Sequence, residues 1–123
     1  MINQQAFTAH MKTVVTYYRG LPHIRRPTII EQAEVWRNDT DRCKALVLAV
    51  GGYQADGSGK PVRIDQRRIG RNIFVEIYRD WDVDDICPAM IMPYQTTLTL
   101  EGAFEPGAYT IHVNGHTLDV VVA

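Results

Sequence analysis

The chain has 123 residues, 46% of them hydrophobic and 22% charged, and its 13 basic and 14 acidic side chains leave a formal net charge of -1. One ordinary globular domain fits this length, while a disordered chain, a collagen-like repeat and a membrane-spanning helix are each excluded by composition or by the length of the apolar runs. Near-balanced charge gives no electrostatic pull toward nucleic acid or an anionic membrane, so neither is expected as a partner.

In chain order, residues 4–11 admit a helical turn or two. Residues 12–18 include Thr13-Val14-Val15-Thr16-Tyr17-Tyr18, β-branched and aromatic, which predicts a strand. Residues 19–27, with Pro22, Arg25, Arg26 and Pro27, read as linker. Residues 1–28 are therefore set apart as an N-terminal extension with one strand, and the domain proper is placed at 29–123. A strand is expected over 29–37. In 44–53, Ala45-Leu46-Val47-Leu48-Ala49-Val50 is a continuous apolar run closed by Gly51-Gly52, the mark of a central strand buried on both faces; a short buried helix is the alternative. Residues 54–61 form a polar Gly/Pro loop.

Period two then dominates. Residues 62–69 and 71–79 make a hairpin around Gly70, with Ile73, Val75 and Ile77 on one face of the second strand. Pro93 interrupts the strand expected over 90–100, so that strand belongs on an edge or changes sheets there. Tyr109, Ile111 and Val113 alternate in 107–114, as do Leu118, Val120 and Val122 in 116–122. Asn114-Gly115 between them tolerates the positive φ that a tight hairpin turn requires. The sum is an all-β fold, an immunoglobulin-like antiparallel β-sandwich of about seven to eight strands. The run Leu98, Leu100, Pro106-Gly107 and Tyr109 places a Tyr at the start of a strand, where a tyrosine corner would return its hydroxyl to the backbone.

The pieces Val50-Gly51-Gly52-Tyr53…Asp56-Gly57, Arg68-Ile69-Gly70-Arg71, Val75-Glu76-Ile77, Asp85-Ile86-Cys87-Pro88-Ala89, Pro93-Tyr94-Gln95-Thr96-Thr97 and Pro106-Gly107-Ala108-Tyr109-Thr110…Val113-Asn114-Gly115 stand in a consistent order over residues 30–122. By these the chain resembles a group of small, mostly exported bacterial immunoglobulin-like domains of unknown role. The resemblance implies a fold and no reaction. In similar sequences a Cys often follows the Asp-Gly loop and can pair with the Cys of Asp-x-x-Cys; here Ser58 holds that place. Residues 1–7 lack the basic and apolar regions of a secretory signal, which points to the cytoplasm by default, whereas the resembling domains are often exported.

Few residues suggest chemistry. Two cysteines, Cys43 and Cys87, are too few for a disulfide framework or an all-cysteine zinc site. If 44–53, 62–69 and 71–79 ran as one meander, Cys43 and Cys87 would sit at opposite ends of strands about 33 Å long, beyond the roughly 7 Å that a disulfide spans. The acidic run Asp80-Trp81-Asp82-Val83-Asp84-Asp85 could offer oxygens to calcium, but Asp85 and Ile91 stand where an EF-hand needs Gly and Glu. Hairpin register places His112 and His116 on opposite faces, which argues against a shared metal. Arg19, His23, Arg25 and Arg26 form one basic patch, and Arg63, Arg67, Arg68 and Arg71 another, without interleaved aromatics for base stacking. No catalytic motif is present.

The expectation is a non-catalytic binding or protein-interaction module with no cofactor and no metal. Its contact residues are sought on the loops at one end: Tyr53, Asp56, Trp81, Asp82 and Asp84. An edge near residues 12–18 would support pairing with a second copy. A small enzyme, or a calcium-binding domain using Asp80–Asp85, is the alternative.

Overall fold

The computed structural model describes residues 14–18, 21–38, 45–57, 59–82 and 89–123. They form nine strands and no helix: β1 (Val14–Tyr18), β2 (Leu21–Pro27), β3 (Ile29–Asn38), β4 (Ala45–Gln54), β5 (Arg63–Ile69), β6 (Asn72–Asp82), β7 (Met92–Thr99), β8 (Gly107–Val113) and β9 (His116–Val122). Six of them, β1, β2, β5, β6, β8 and β9, make a large sheet; β3, β4 and β7 make a small one with β4 in the middle. The β-sandwich expected from the sequence is the fold observed.

Alternating apolar residues of three strands meet between the sheets. Leu46, Leu48 and Val50 of β4 face Ile73, Val75 and Ile77 of β6 and Tyr109, Ile111 and Val113 of β8, with Leu100 and Val122 closing the cluster. Full burial of each such side chain is worth roughly 1.5–3 kcal/mol, so this cluster is the main source of stability. The two predicted hairpins form. Ile69 pairs with Asn72 across a turn in which Gly70 has φ 58°, and Val113 pairs with His116 across a turn in which Asn114 has φ 52°. His112 pairs with Thr117, so His112 and His116 lie on opposite faces, as the register argument required. Pro93 lies within β7, an edge strand of the small sheet.

Four expectations are corrected. Residues 21–27, read as linker, are strand β2, paired with β1 on one side and β6 on the other. The described part of the N-terminal extension is thus two strands hydrogen-bonded into the large sheet, and the expected division after residue 28 falls within a bonded network. The sandwich is antiparallel except for one parallel pair, β6 with β8. The meander over 44–79 does not form: β4 lies in the small sheet and β5–β6 in the large one, so the chain crosses between sheets after Gln54. The disulfide argument built on that meander loses its basis, and Cys43 and Cys87 lie outside the described residues.

β6 is the hub of the large sheet. One edge pairs with β5 over Asn72–Tyr78, from Ile69 opposite Asn72 to Arg63 opposite Tyr78. The other edge is divided: Asn72–Val75 pairs with β8, and Tyr78–Asp82 pairs with β2. Asn114 fills the gap between β8 and β2. Its Oδ1 accepts from Ile77 N at 2.9 Å, and its Nδ2 donates to Ile77 O at 3.0 Å and to Thr28 O at 2.6 Å. Its own N donates to Val75 O at 3.1 Å, and Thr28 N donates to Ile77 O at 2.9 Å. The side-chain amide stands in for a peptide group of the missing strand, so the buried backbone groups there are satisfied.

Candidate functional site

Tyr53 lies near the end of β4 and Asp56 just beyond it, while Trp81 and Asp82 end β6; one contact joins the two places. Arg79 Nη2 donates to Asp56 Oδ2 at 2.7 Å, with both side chains 4% exposed. Asp56 is therefore a buried anchor for the crossover between the sheets, and the reading of it as an exposed loop ligand is corrected. A buried carboxylate needs such a charged, hydrogen-bonded partner. Tyr53 is half-buried on the outer face of the small sheet, opposite Ile29 and Pro93. Trp81 and Asp82 belong to a strand rather than a loop, their backbones opposite Ile24 and His23. Asp84 lies outside the described residues. The structure thus places Tyr53 and Asp56 at the same end as the backbone of Trp81–Asp82, while taking Asp56 out of reach of a partner.

The outer face of the large sheet around Tyr78 and Asp80 is covered by its own charges, and beside them a cleft of about 550 Å³ is lined by Asp65, Gln66, Arg67, Phe74, Glu76 and His112. Arg25 of β2 bonds Glu76 at 3.1 Å, approaches Asp80 at 3.6 Å and lies 3.8 Å over the Tyr78 ring. Arg63 of β5 reaches Asp80 at 3.5 Å. Tyr78 Oη donates to Asp65 Oδ2 at 2.6 Å. Asp80, first of the acidic run considered for calcium, is thus already engaged by two arginines. The second basic patch is likewise engaged. Arg67 lies over Phe74, Arg68 over Phe104 and Tyr109, and Arg71 over Tyr109. The aromatics that these arginines cover come from β6 (Phe74), β8 (Tyr109) and the segment between β7 and β8 (Phe104). Tyr109 Oη also donates to Glu105 O at 2.7 Å, the tyrosine-corner contact expected from the sequence.

Burial pushes the Tyr78 phenol above its ordinary value of 10.0, helped by its hydrogen bond to Asp65 and by the charges of Asp65 and Asp80, with Arg25 opposing. The folded chain then holds a proton that the unfolded chain releases. This contribution is constant below about pH 10 and is lost as pH rises above it. Urea midpoints measured from pH 8 to 11 should fall more steeply for the wild type than for Tyr78→Phe. Parallel curves would contradict this placement of the phenol.

The outer face of the small sheet is different. Outward positions of the central strand β4 are Val47, Ala49, Gly51 and Tyr53, flanked by Gln32, Glu34 and Trp36 of β3 and by Gln95, Thr97 and Thr99 of β7. Two adjoining clefts of about 530 and 370 Å³ run along this face and share Gln32, Gly51 and Gln95. Trp36 is 44% exposed. Sequence reasoning found only Tyr53 here. The outward residues of β3 and β7 become neighbours solely through the pairing of both with β4, and nothing in either segment alone signals it. Among the described residues no group of three or more His, Cys, Asp or Glu could hold a metal ion.

Comparison with known proteins agrees with this architecture. No curated protein and no solved structure matches the chain. The family described as the ORF11 beta-sandwich domain matches residues 48–122, from the core of β4 to the last residue of β9. That span takes in more than half of the chain and both layers of the sandwich, and the chain belongs to the ORF11 beta-sandwich domain family.

Proposed function

We propose that the domain is a non-catalytic protein-interaction module that adds a partner strand, a second copy of itself in the first instance, along the outer edge of β1. The observation that carries this is the uneven protection of the strand edges. An open edge is a template for another strand, and proteins guard such edges with proline, charge or a covering segment. β5 is tied to the end of β7 and the stretch after it: Gln66 Nε2 donates to Thr99 O, Gln66 Oε1 accepts from Glu101 N, and Arg68 Nη1 donates to Ala103 O. β7 carries Pro93. β3 and β9 lie against each other, with Arg37 Nη1 donating to Ala123 O at 3.1 Å. β1 pairs with β2 alone among the described residues, and its sequence, VVTYY, holds neither proline nor charge.

Antiparallel pairing of two β1 strands is isologous, so it closes as a two-fold dimer without open-ended growth. We read the sandwich as immunoglobulin-like, on the support of the Tyr109–Glu105 corner, and as bacterial, on the resemblance in its sequence. Among the described residues nothing specific favours the calcium-binding or enzymatic alternative.

Sedimentation equilibrium with two single variants tests the pairing. Successive N–H groups of a strand point to opposite edges, so of Val15→Pro and Thr16→Pro one strikes the outer edge and the other the ladder with β2. The wild type is expected to dimerise, and one variant to be a monomer with wild-type melting. A monomeric wild type, or dimers that survive both substitutions, would overturn the proposal.

A further inference from the structure

We infer that the paired clefts on the outer face of the small sheet bind an uncharged, extended oligosaccharide, a site independent of the β1 edge. The walls are Gln32 and Glu34 on one side and Gln95 and Thr97 on the other. Amide, carboxylate and hydroxyl groups in two facing rows offer both donors and acceptors, which suits a ligand whose every hydroxyl is both. The floor is Ala49 and Gly51. A Cβ built on Gly51 would meet only the Gln32 Cβ, at 4.0 Å, so the fold itself leaves room for a side chain there and the open floor is not a packing requirement.

Aromatic rings stand toward both ends. Trp36 lies opposite Val47, and Tyr53 is six residues further along β4, about 20 Å at the rise of a strand. That span exceeds one sugar ring and fits a short chain of them, with Trp36 exposed at one end and Tyr53 half-buried at the other. No lysine or arginine lines either cleft, and Glu31 and Glu34 do, so a polyanion is disfavoured. A peptide is the less suited occupant. Extended peptides gain affinity from backbone pairing at a sheet edge or from apolar side-chain pockets. The face of a sheet has no free backbone ladder, and a floor of Ala and Gly makes no pocket.

The test is affinity electrophoresis of the purified domain through gels containing neutral soluble polysaccharides (β-glucan, xylan, galactomannan, glycogen), followed by calorimetry with oligosaccharides of the one that retards it. The wild type should be retarded by at least one. Gln95→Ala should weaken binding about tenfold, the effect of roughly one lost hydrogen bond. Gly51→Leu, which fills the floor, should abolish retardation with melting unchanged; should it not fold, Gln95→Ala and Gln32→Ala carry the test. Failure of every neutral polysaccharide to retard the wild type would overturn the proposal. So would undiminished binding in both Gln95→Ala and Gln32→Ala, or chemical-shift changes at Gln32, Gly51 and Gln95 with extended peptides and not with sugars.

Discussion

Asn114→Ala is expected to destabilise the domain by roughly 3–5 kcal/mol, because a buried side chain is lost that satisfies three backbone groups at once. Among the described residues, Ile77 N would have no other acceptor in place, and Thr28 O would lose its side-chain donor. An alanine with φ near 52° adds strain, since a Cβ disfavours the left-handed region. Asn114→Gly separates the two causes. It removes the strain and still leaves the backbone groups unpaired, so it should recover only about 1 kcal/mol. Urea denaturation gives the totals, and amide exchange locates them. β2 should lose protection before β4, because the Asn114 amide bridges β8, β6 and the residue that follows β2. A loss below about 0.5 kcal/mol for Asn114→Ala, the range of ordinary surface substitutions, would contradict the role given to it.

The second large effect is expected at Asp56. Removing one partner of a buried ion pair leaves the other charge uncompensated and typically costs about 3–5 kcal/mol. Asp56→Ala should therefore be far more damaging than its place in a Gly-rich loop suggests. An apolar replacement of both partners, Asp56→Leu with Arg79→Met, should recover much of the loss, since burying two charges is itself costly. A double variant no more stable than Asp56→Ala would argue that the pair does more than neutralise itself.

These two residues show where local sequence reading stops. Asn114 was legible as a turn residue, because Asn-Gly between two alternating strands states its own backbone conformation. Its second role depends on Ile77 and Thr28, which are 37 and 86 residues away, and no local pattern encodes that pairing. Asp56 in Asp-Gly-Ser-Gly looks like a solvated loop acid, and only the chain crossing between sheets brings it onto Arg79. β2 was hidden for a related reason. Pro22 and Pro27 at its ends and two adjacent arginines mimic a linker, while what holds the strand is Arg25 on Glu76, Asp80 and Tyr78. By contrast β4, β6, β8 and β9 were plain in the sequence. Their apolar residues either run on or alternate strictly, and such patterns require burial whatever the partners are. The small-sheet clefts show the same limit: Tyr53 was noticed for its type, whereas Gln32, Glu34, Gln95 and Thr97 gain meaning only once β3 and β7 flank β4.

The arginines of the β5–β6 hairpin make a related point. By sequence they form a basic patch that could meet an acidic partner. In the fold Arg67, Arg68 and Arg71 cover the faces of Phe74, Phe104 and Tyr109, contacts worth about 0.5–1 kcal/mol each when exposed. These arginines are therefore engaged within the fold itself and are not a free basic patch.

The pairing along β1 is tested most directly by amide hydrogen exchange of the wild type at protein concentrations below and above the dimer midpoint. Strand addition predicts that protection rises with concentration at alternate residues of Val14–Tyr18, those whose N–H groups point away from β2, while the β4 amides stay unchanged. Equal protection of the β1 amides at both concentrations would contradict it.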